Sequence, residues 1–153
     1  MYADNWKIDA CPVNGPAIDA SGDRVAVAWF TAARDTARVY LAWSVDGGLT
    51  FGEPIRIDEG NPVGRVDVEL DGRGGAVVSW MEFASEQQAD VRVRRVGPGG
   101  VPTTSRLVAR TSGARASGFP RMTARGNDLV FAWTEAGTPS RVRVARARLS
   151  GDR

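Results

Sequence analysis

Short runs rich in valine, alanine and aromatic residues alternate along the chain with polar, glycine-bearing breaks. Such a pattern predicts strands and tight turns rather than helices. Three of the runs end in tryptophan: 24–29 (RVAVAW), 75–80 (GAVVSW) and 128–133 (DLVFAW). These tryptophans, Trp29, Trp80 and Trp133, lie 51 and 53 residues apart. Ahead of each comes a glycine that opens another short strand: Gly15 (GPAIDA), Gly64 (GRVDVEL) and Gly118 (GFPRMTA). Turn signals join the members of each pair: Ser21-Gly22-Asp23, Asp71-Gly72-Arg73-Gly74 and Gly126-Asn127. A third strand follows in each unit, at 37–43, 90–96 and 141–149. A fourth follows only in the first two, at 54–58 and 106–109. A spare strand-like segment, 5–10 (NWKIDA), stands near the other terminus.

Four-stranded units repeating at about 50 residues are the signature of propeller blades, and so regular a spacing argues against a sandwich. The sequence predicts an all-β fold: a single propeller-type domain over 1–153 with three blades. A closing strand lies at 5–10, blade one at 15–60 and blade two at 64–110; blade three, at 118–150, lacks its outer strand. Closed rings need about four to eight blades, so three do not close alone. Two solutions remain. Two copies can pair about a two-fold axis, each lending its N-terminal strand to the other's third blade, as half-rings of a six-bladed C2 homodimer. Alternatively, the chain is a fragment of a six-bladed parent.

Composition narrows the chemistry. Charged residues at 25% and hydrophobic residues at 42% fit a soluble globular domain. The net charge is only +2, with acidic residues interspersed among arginines, so no nucleic-acid partner is expected. The alternating Arg92, Arg94, Arg141 and Arg143 read instead as stems covering neighbouring blades. No apolar run approaches a membrane span, so no membrane partner is expected, and no segment resembles a signal peptide. These features leave the compartment open. The single cysteine, Cys11, permits no internal disulfide and reads as a buried, inert thiol. The chain has no histidine. That removes Ser-His-Asp catalysis and imidazole zinc sites. No metal or cofactor is expected, and any catalysis must use carboxylates, tyrosine and arginine.

The link between the third and fourth strands of the first unit reads Ser44-Val45-Asp46-Gly47-Gly48-Leu49-Thr50-Phe51. Asp46 is placed to accept backbone N–H groups across the turn. Gly47 and Gly48 supply positive φ, Ser44 and Thr50 offer hydroxyls, and Phe51 packs beneath. The segment resembles, at every fixed position, the Asp-box S-x-D-x-G-x-T-[WF] of the sialidase (BNR-repeat) families. The corresponding links of the other units, 97–102 (GPGGVP) and 150–152, are plainer turns. The resemblance therefore covers the whole chain as a repeat and one blade by motif. It implies that the Asp-box lies on the outer rim, away from the pore mouth where ligands bind. Ser44, Asp46, Gly48, Thr50 and Phe51 are then structural.

The same resemblance implies a chemistry. Sialidases grip a substrate carboxylate with three arginines near the inner ends of different blades, a task suited to the guanidinium fork. A tyrosine assisted by a glutamate is the nucleophile, and an aspartate is the acid/base. By position, Arg65 and Arg121 stand on inner strands, and Asp67 shares a strand face with Arg65. Glu82 and Glu135 each fall two residues after a blade tryptophan, within reach of the pore-side loops. The Phe119-Pro120-Arg121 step resembles the arginine–proline signature of the family with its order inverted. These five residues, Arg65, Asp67, Arg121, Glu82 and Glu135, are the candidate ligand site.

Each candidate also has a plainer reading. Arg65 and Arg121 suit ion pairs near the axis, and Asp19 and Asp67 suit hydrogen bonds between blades. The first blade has Ala17 and Ile18 where a third arginine would stand, Tyr2 lies in a tail, and Tyr40 is mid-strand. Trp29, Trp80 and Trp133 read as core, leaving Trp6 and Trp43 as sugar platforms if exposed. The expected function is a sialidase-like module that binds a carbohydrate or small anion at the pore mouth without catalysis. An exo-sialidase-type glycoside hydrolase and a purely structural half-propeller unit are the alternatives.

Overall fold

Strand period sets the architecture. In the computed structural model, which describes residues 2–8 and 13–149, the alternating runs form strands that reverse at the expected turns. The first blade is β1 (Ala17–Ser21), β2 (Arg24–Thr31), β3 (Arg38–Ser44) and β4 (Ile55–Arg56). The second is β5 (Pro62–Leu70), β6 (Ala76–Phe83), β7 (Gln88–Val96) and β8 (Arg106–Ser112). The third is β9 (Arg121–Arg125), β10 (Asp128–Glu135) and β11 (Arg141–Arg148). Each blade is one antiparallel sheet in sequence order, four-stranded in the first two and three-stranded in the third.

Two details depart from the predicted elements. The fourth strand of the first blade shrinks to two residues. Pro54 has no N–H to give, and the edge is instead extended by Ile57, whose N–H donates to Val39 O (2.8 Å), and by Asp58, whose Oδ1 accepts Val39 N–H (2.8 Å). The predicted closing strand carries no strand over residues 5–8. In the single chain Trp6 instead packs edge-on against Phe30 of the first blade, with ring centroids 5.7 Å apart. A strand needs an edge to pair with, and the open edge of β11 belongs to the far blade. Residues 9 and 10, Cys11 and the predicted turn at 150–152 lie outside the described residues.

The core lies between blades. Ala26, Ala28, Val39 and Leu41 of the first blade meet Val66, Val68, Val78 and Trp80 of the second. Val77 and Val93 of the second meet Met122, Leu129 and Phe131 of the third. Period-two alternation thus gives the second blade two apolar faces, one for each neighbour. The blade tryptophans are not equivalent. Trp80 is fully buried, whereas Trp29 and Trp133 are half-buried. Trp29 has no blade before it in this chain and rests on its cross-strand partner Tyr40, centroids 5.7 Å apart. Trp133 sits at the margin of the second cluster.

Inner strands are stapled by carboxylates. Asp19 Oδ2 accepts the N–H of Leu70 (2.7 Å), Asp67 Oδ2 that of Met122 (2.8 Å), and Glu69 Oε2 that of Ala124 (3.4 Å). An inner strand has one unpaired edge, and these acids from the preceding blade satisfy its backbone donors.

The rim loop closes on Asp46. Ser44 Oγ donates to Asp46 Oδ1 (2.6 Å), and Thr50 donates from its N–H to Oδ1 (2.9 Å) and from its hydroxyl to Oδ2 (2.5 Å). Gly47 and Gly48 take φ of 70° and 89°. The Ser44 hydroxyl and then the Thr50 donors lower the Asp46 pKa from 3.8 to about 2. A carboxylate depressed by folding stabilises above its unfolded pKa, and that contribution vanishes as pH falls through the folded one. We expect the Tm gap between wild type and Asp46→Asn to be widest at neutral pH and to close between pH 3.8 and about 2. A gap independent of pH, followed by circular dichroism, contradicts this account.

Candidate functional site

Strand direction brings the predicted site residues to one end. In each sheet the strands alternate, so the β2–β3, β6–β7 and β10–β11 loops emerge beside the links that lead into β5 and β9. Arg65, Arg121, Glu82 and Glu135 all stand at that end. Asp67 lies two residues deeper in β5, and the Asp46 loop lies at the opposite end. No carboxylate of the set is left free.

Arg65 is aimed by a bulge. The β5–β6 register shifts between Gly64 and Asp67, and Arg65 adopts φ of 53°. Asn14 pins this turn: its Nδ2 donates to Val63 O (3.0 Å) and its Oδ1 accepts Arg65 N–H (3.0 Å). Gly64 takes φ of 94°, which favours glycine, and a Cβ there would lie 2.7 Å from the Asn14 amide and displace it. The Arg65 side chain then turns inward. Its Nη2 donates to Gly113 O (3.2 Å) and Ala114 O (3.0 Å), its Nη1 faces Met81 Sδ (3.5 Å), and the Phe119 ring lies 5.8 Å from Cζ. No carboxylate pairs with it among the described residues, and burial lowers its pKa below that of free arginine.

The acids are occupied. Asp67 is buried; its Oδ1 accepts Val68 N–H (3.1 Å), and its Oδ2 accepts Met122 N–H and lies 3.3 Å from Arg121 Nε. Glu82 is buried and accepts three donors: Trp80 Nε1–H (2.7 Å), Asn61 N–H (2.8 Å) and Glu59 N–H (3.1 Å). It ties β6 to the link that precedes β5. Glu135 pairs with Arg143 at 2.8 Å, both half-exposed. A general acid or base must reach the substrate proton. Asp67 and Glu82 face their own chain instead.

What remains open is cationic and aromatic. Arg121 is 72% exposed; Asp67 holds its Nε, and its terminal nitrogens make no hydrogen bond among the described residues. Phe119, 44% exposed, lies two residues before it in sequence, with its ring toward Arg65. Tyr40 and Tyr2 line a different groove of about 270 Å³ on the first blade. A larger groove of about 490 Å³, lined by Val77, Thr103, Arg106, Leu129 and Leu149, runs between the second and third blades and includes none of the five candidates. Trp43 is half-buried under Arg24, whose Cζ lies 4.9 Å from its ring centroid. Arg94 crosses to the first blade and donates to Ile57 O (2.7 Å).

Sequence reasoning had not singled out Asn14, since its partners are 49 and 51 residues away. Phe119 was visible only as part of the Phe119-Pro120-Arg121 step.

No protein-family model and no curated protein matches this chain. Solved structures do. The GH93 α-L-arabinofuranosidase of Fusarium graminearum, solved with arabinobiose, superposes with a TM-score of 0.61 at 13% identity, over 87% of this chain and 44% of that one. The GH43B protein of the Bacteroides ovatus xyloglucan PUL superposes with a TM-score of 0.54 at 17% identity, over 88% and 26%. The fold is a β-propeller. The chain spans less than half the length of either structure, and at these identities the likeness is one of fold.

Proposed function

We propose that this chain is a sialidase-like half-propeller that binds a carbohydrate or small anion at the pore mouth and does not hydrolyse it. One contrast carries the reading. The Arg121 fork is open, whereas Asp67 and Glu82 are engaged by backbone and indole donors. A guanidinium fork fits a planar carboxylate. The Asp-box resemblance and the likeness in fold to the α-L-arabinofuranosidase support the substrate class. A second reading, an exo-sialidase, is favoured by Arg65, a buried inner-strand arginine with no carboxylate partner among the described residues. It needs an acid and a nucleophile from further blades.

A glycan array read beside a fluorogenic sialoside assay tests both. We expect acidic glycans to bind without turnover, and Arg121→Ala to weaken binding at least about tenfold, as for loss of one charge-assisted contact. Turnover that Arg121→Ala abolishes would establish the enzyme instead. A blank array with no turnover would leave a purely structural assembly unit.

A further inference from the structure

The repeat makes each blade face comparable with its equivalents. Strand pairing supplies the register. The residue after each blade tryptophan opposes Val39 in the first blade, Val91 in the second and Val142 in the third. Val39 and Val91 are fully buried, Val39 against the second blade, whereas Val142 is 73% exposed. Two positions along, Leu41 is 0% and Val93 8% exposed, whereas Val144 is 66% exposed. Among the described residues, the third blade therefore presents an interface face with no blade against it.

The first blade presents the other half. Ile18 opposes Val27, Val68 opposes Val78 and Met122 opposes Phe131, each partner lying two residues before its tryptophan. Val68 and Met122 are 2% and 5% exposed against the blade before them, whereas Ile18 is 67% exposed. The polar staples repeat the pattern. Asp19 and Glu69 each reach into the next inner strand, and their equivalent in the third blade, Thr123 opposite Val130, has no strand ahead of it. The chain thus carries one spare leading face and one spare trailing face of the same type of interface that it already makes twice internally.

We propose that these two faces bind each other between two copies of this chain: Val142, Val144 and Thr123 of one copy pack on Ile18 and Trp29 of the other, and the reverse contact closes the pair. Two sets of three blades make six, within the range of about four to eight that closes a ring, and a two-fold axis satisfies both spare faces at once. The contact leaves Trp6 on Phe30 and needs no strand exchange. It rests on the half-propeller reading above but not on any ligand.

Light scattering after size exclusion tests it on the full chain, with a readout independent of glycan binding. Wild type is expected at twice 16.4 kDa. The double variant Val142→Asp with Val144→Asp, and separately Ile18→Asp, are expected at 16.4 kDa with an unchanged far-ultraviolet spectrum. Val45→Asp replaces an equally exposed apolar residue (71%) on the rim loop and is expected to keep the double mass. Wild type at 16.4 kDa throughout a dilution series overturns the proposal. So does a folded Ile18→Asp variant that keeps the double mass, or a mass that grows without limit, which marks an open head-to-tail filament.

Discussion

Glu82→Ala is expected to unfold the chain far more readily than its position at the loop end of the second blade suggests. The substitution leaves the Trp80 indole N–H and the backbone N–H groups of Glu59 and Asn61 without their acceptor. An orphaned buried donor costs about 1–3 kcal/mol; the indole is buried and the two backbone groups are part-buried and partly recovered by water, so the loss amounts to roughly 3 kcal/mol. Glu82→Gln keeps one carbonyl oxygen and is expected to lose about half as much. Urea unfolding at neutral pH measures both. A loss under about 1 kcal/mol for Glu82→Ala, within the range of ordinary surface substitutions, contradicts the assignment of Glu82 as a tie between blades.

Trp80→Ala carries the second large effect. The indole is fully buried in the first interblade cluster, and truncating such a side chain costs about 3–5 kcal/mol. It also deprives Glu82 of a donor, so the two substitutions share one broken contact. The double variant Trp80→Ala with Glu82→Ala is therefore expected to lose less than the sum of the single losses, by about 1 kcal/mol or more. Strict additivity shows that the 2.7 Å bond between them contributes nothing.

These two residues mark how far the sequence could be read. Blade number, strand order and the turns follow from short-range patterns: period-two alternation, glycine at reversals and tryptophans at nearly constant spacing. The rim loop was legible for the same reason, since Ser44, Asp46 and Thr50 bond one another within a few residues. The site was legible only as a location. A carboxylate two residues past a blade tryptophan reads alike whether it faces a ligand or its own backbone. The three donors on Glu82 include two from 21 and 23 residues away, beyond any local pattern. The bulge that buries Arg65 depends on Asn14 across a blade boundary, and no spacing rule announces it. The tryptophans look alike in sequence, yet their burial depends on whether a blade lies against them, which is a property of order along the chain. Residues 5–8 alternate like a strand, but a strand exists only beside an edge, and within one chain Phe30 is the nearer partner.

The central claim is that Asp67 and Glu82 are held by donors of their own chain while the Arg121 fork stays open to a ligand. The most direct test follows the arginine side-chain N–H resonances by nitrogen-15 NMR during a titration with N-acetylneuraminic acid, with the uncharged methyl arabinofuranoside run in parallel. The account predicts that Arg121 shifts with the acidic sugar. The Trp80 indole N–H, held on Glu82, should stay in place. A titration that leaves Arg121 unmoved, or one that displaces the Trp80 indole from Glu82, contradicts it.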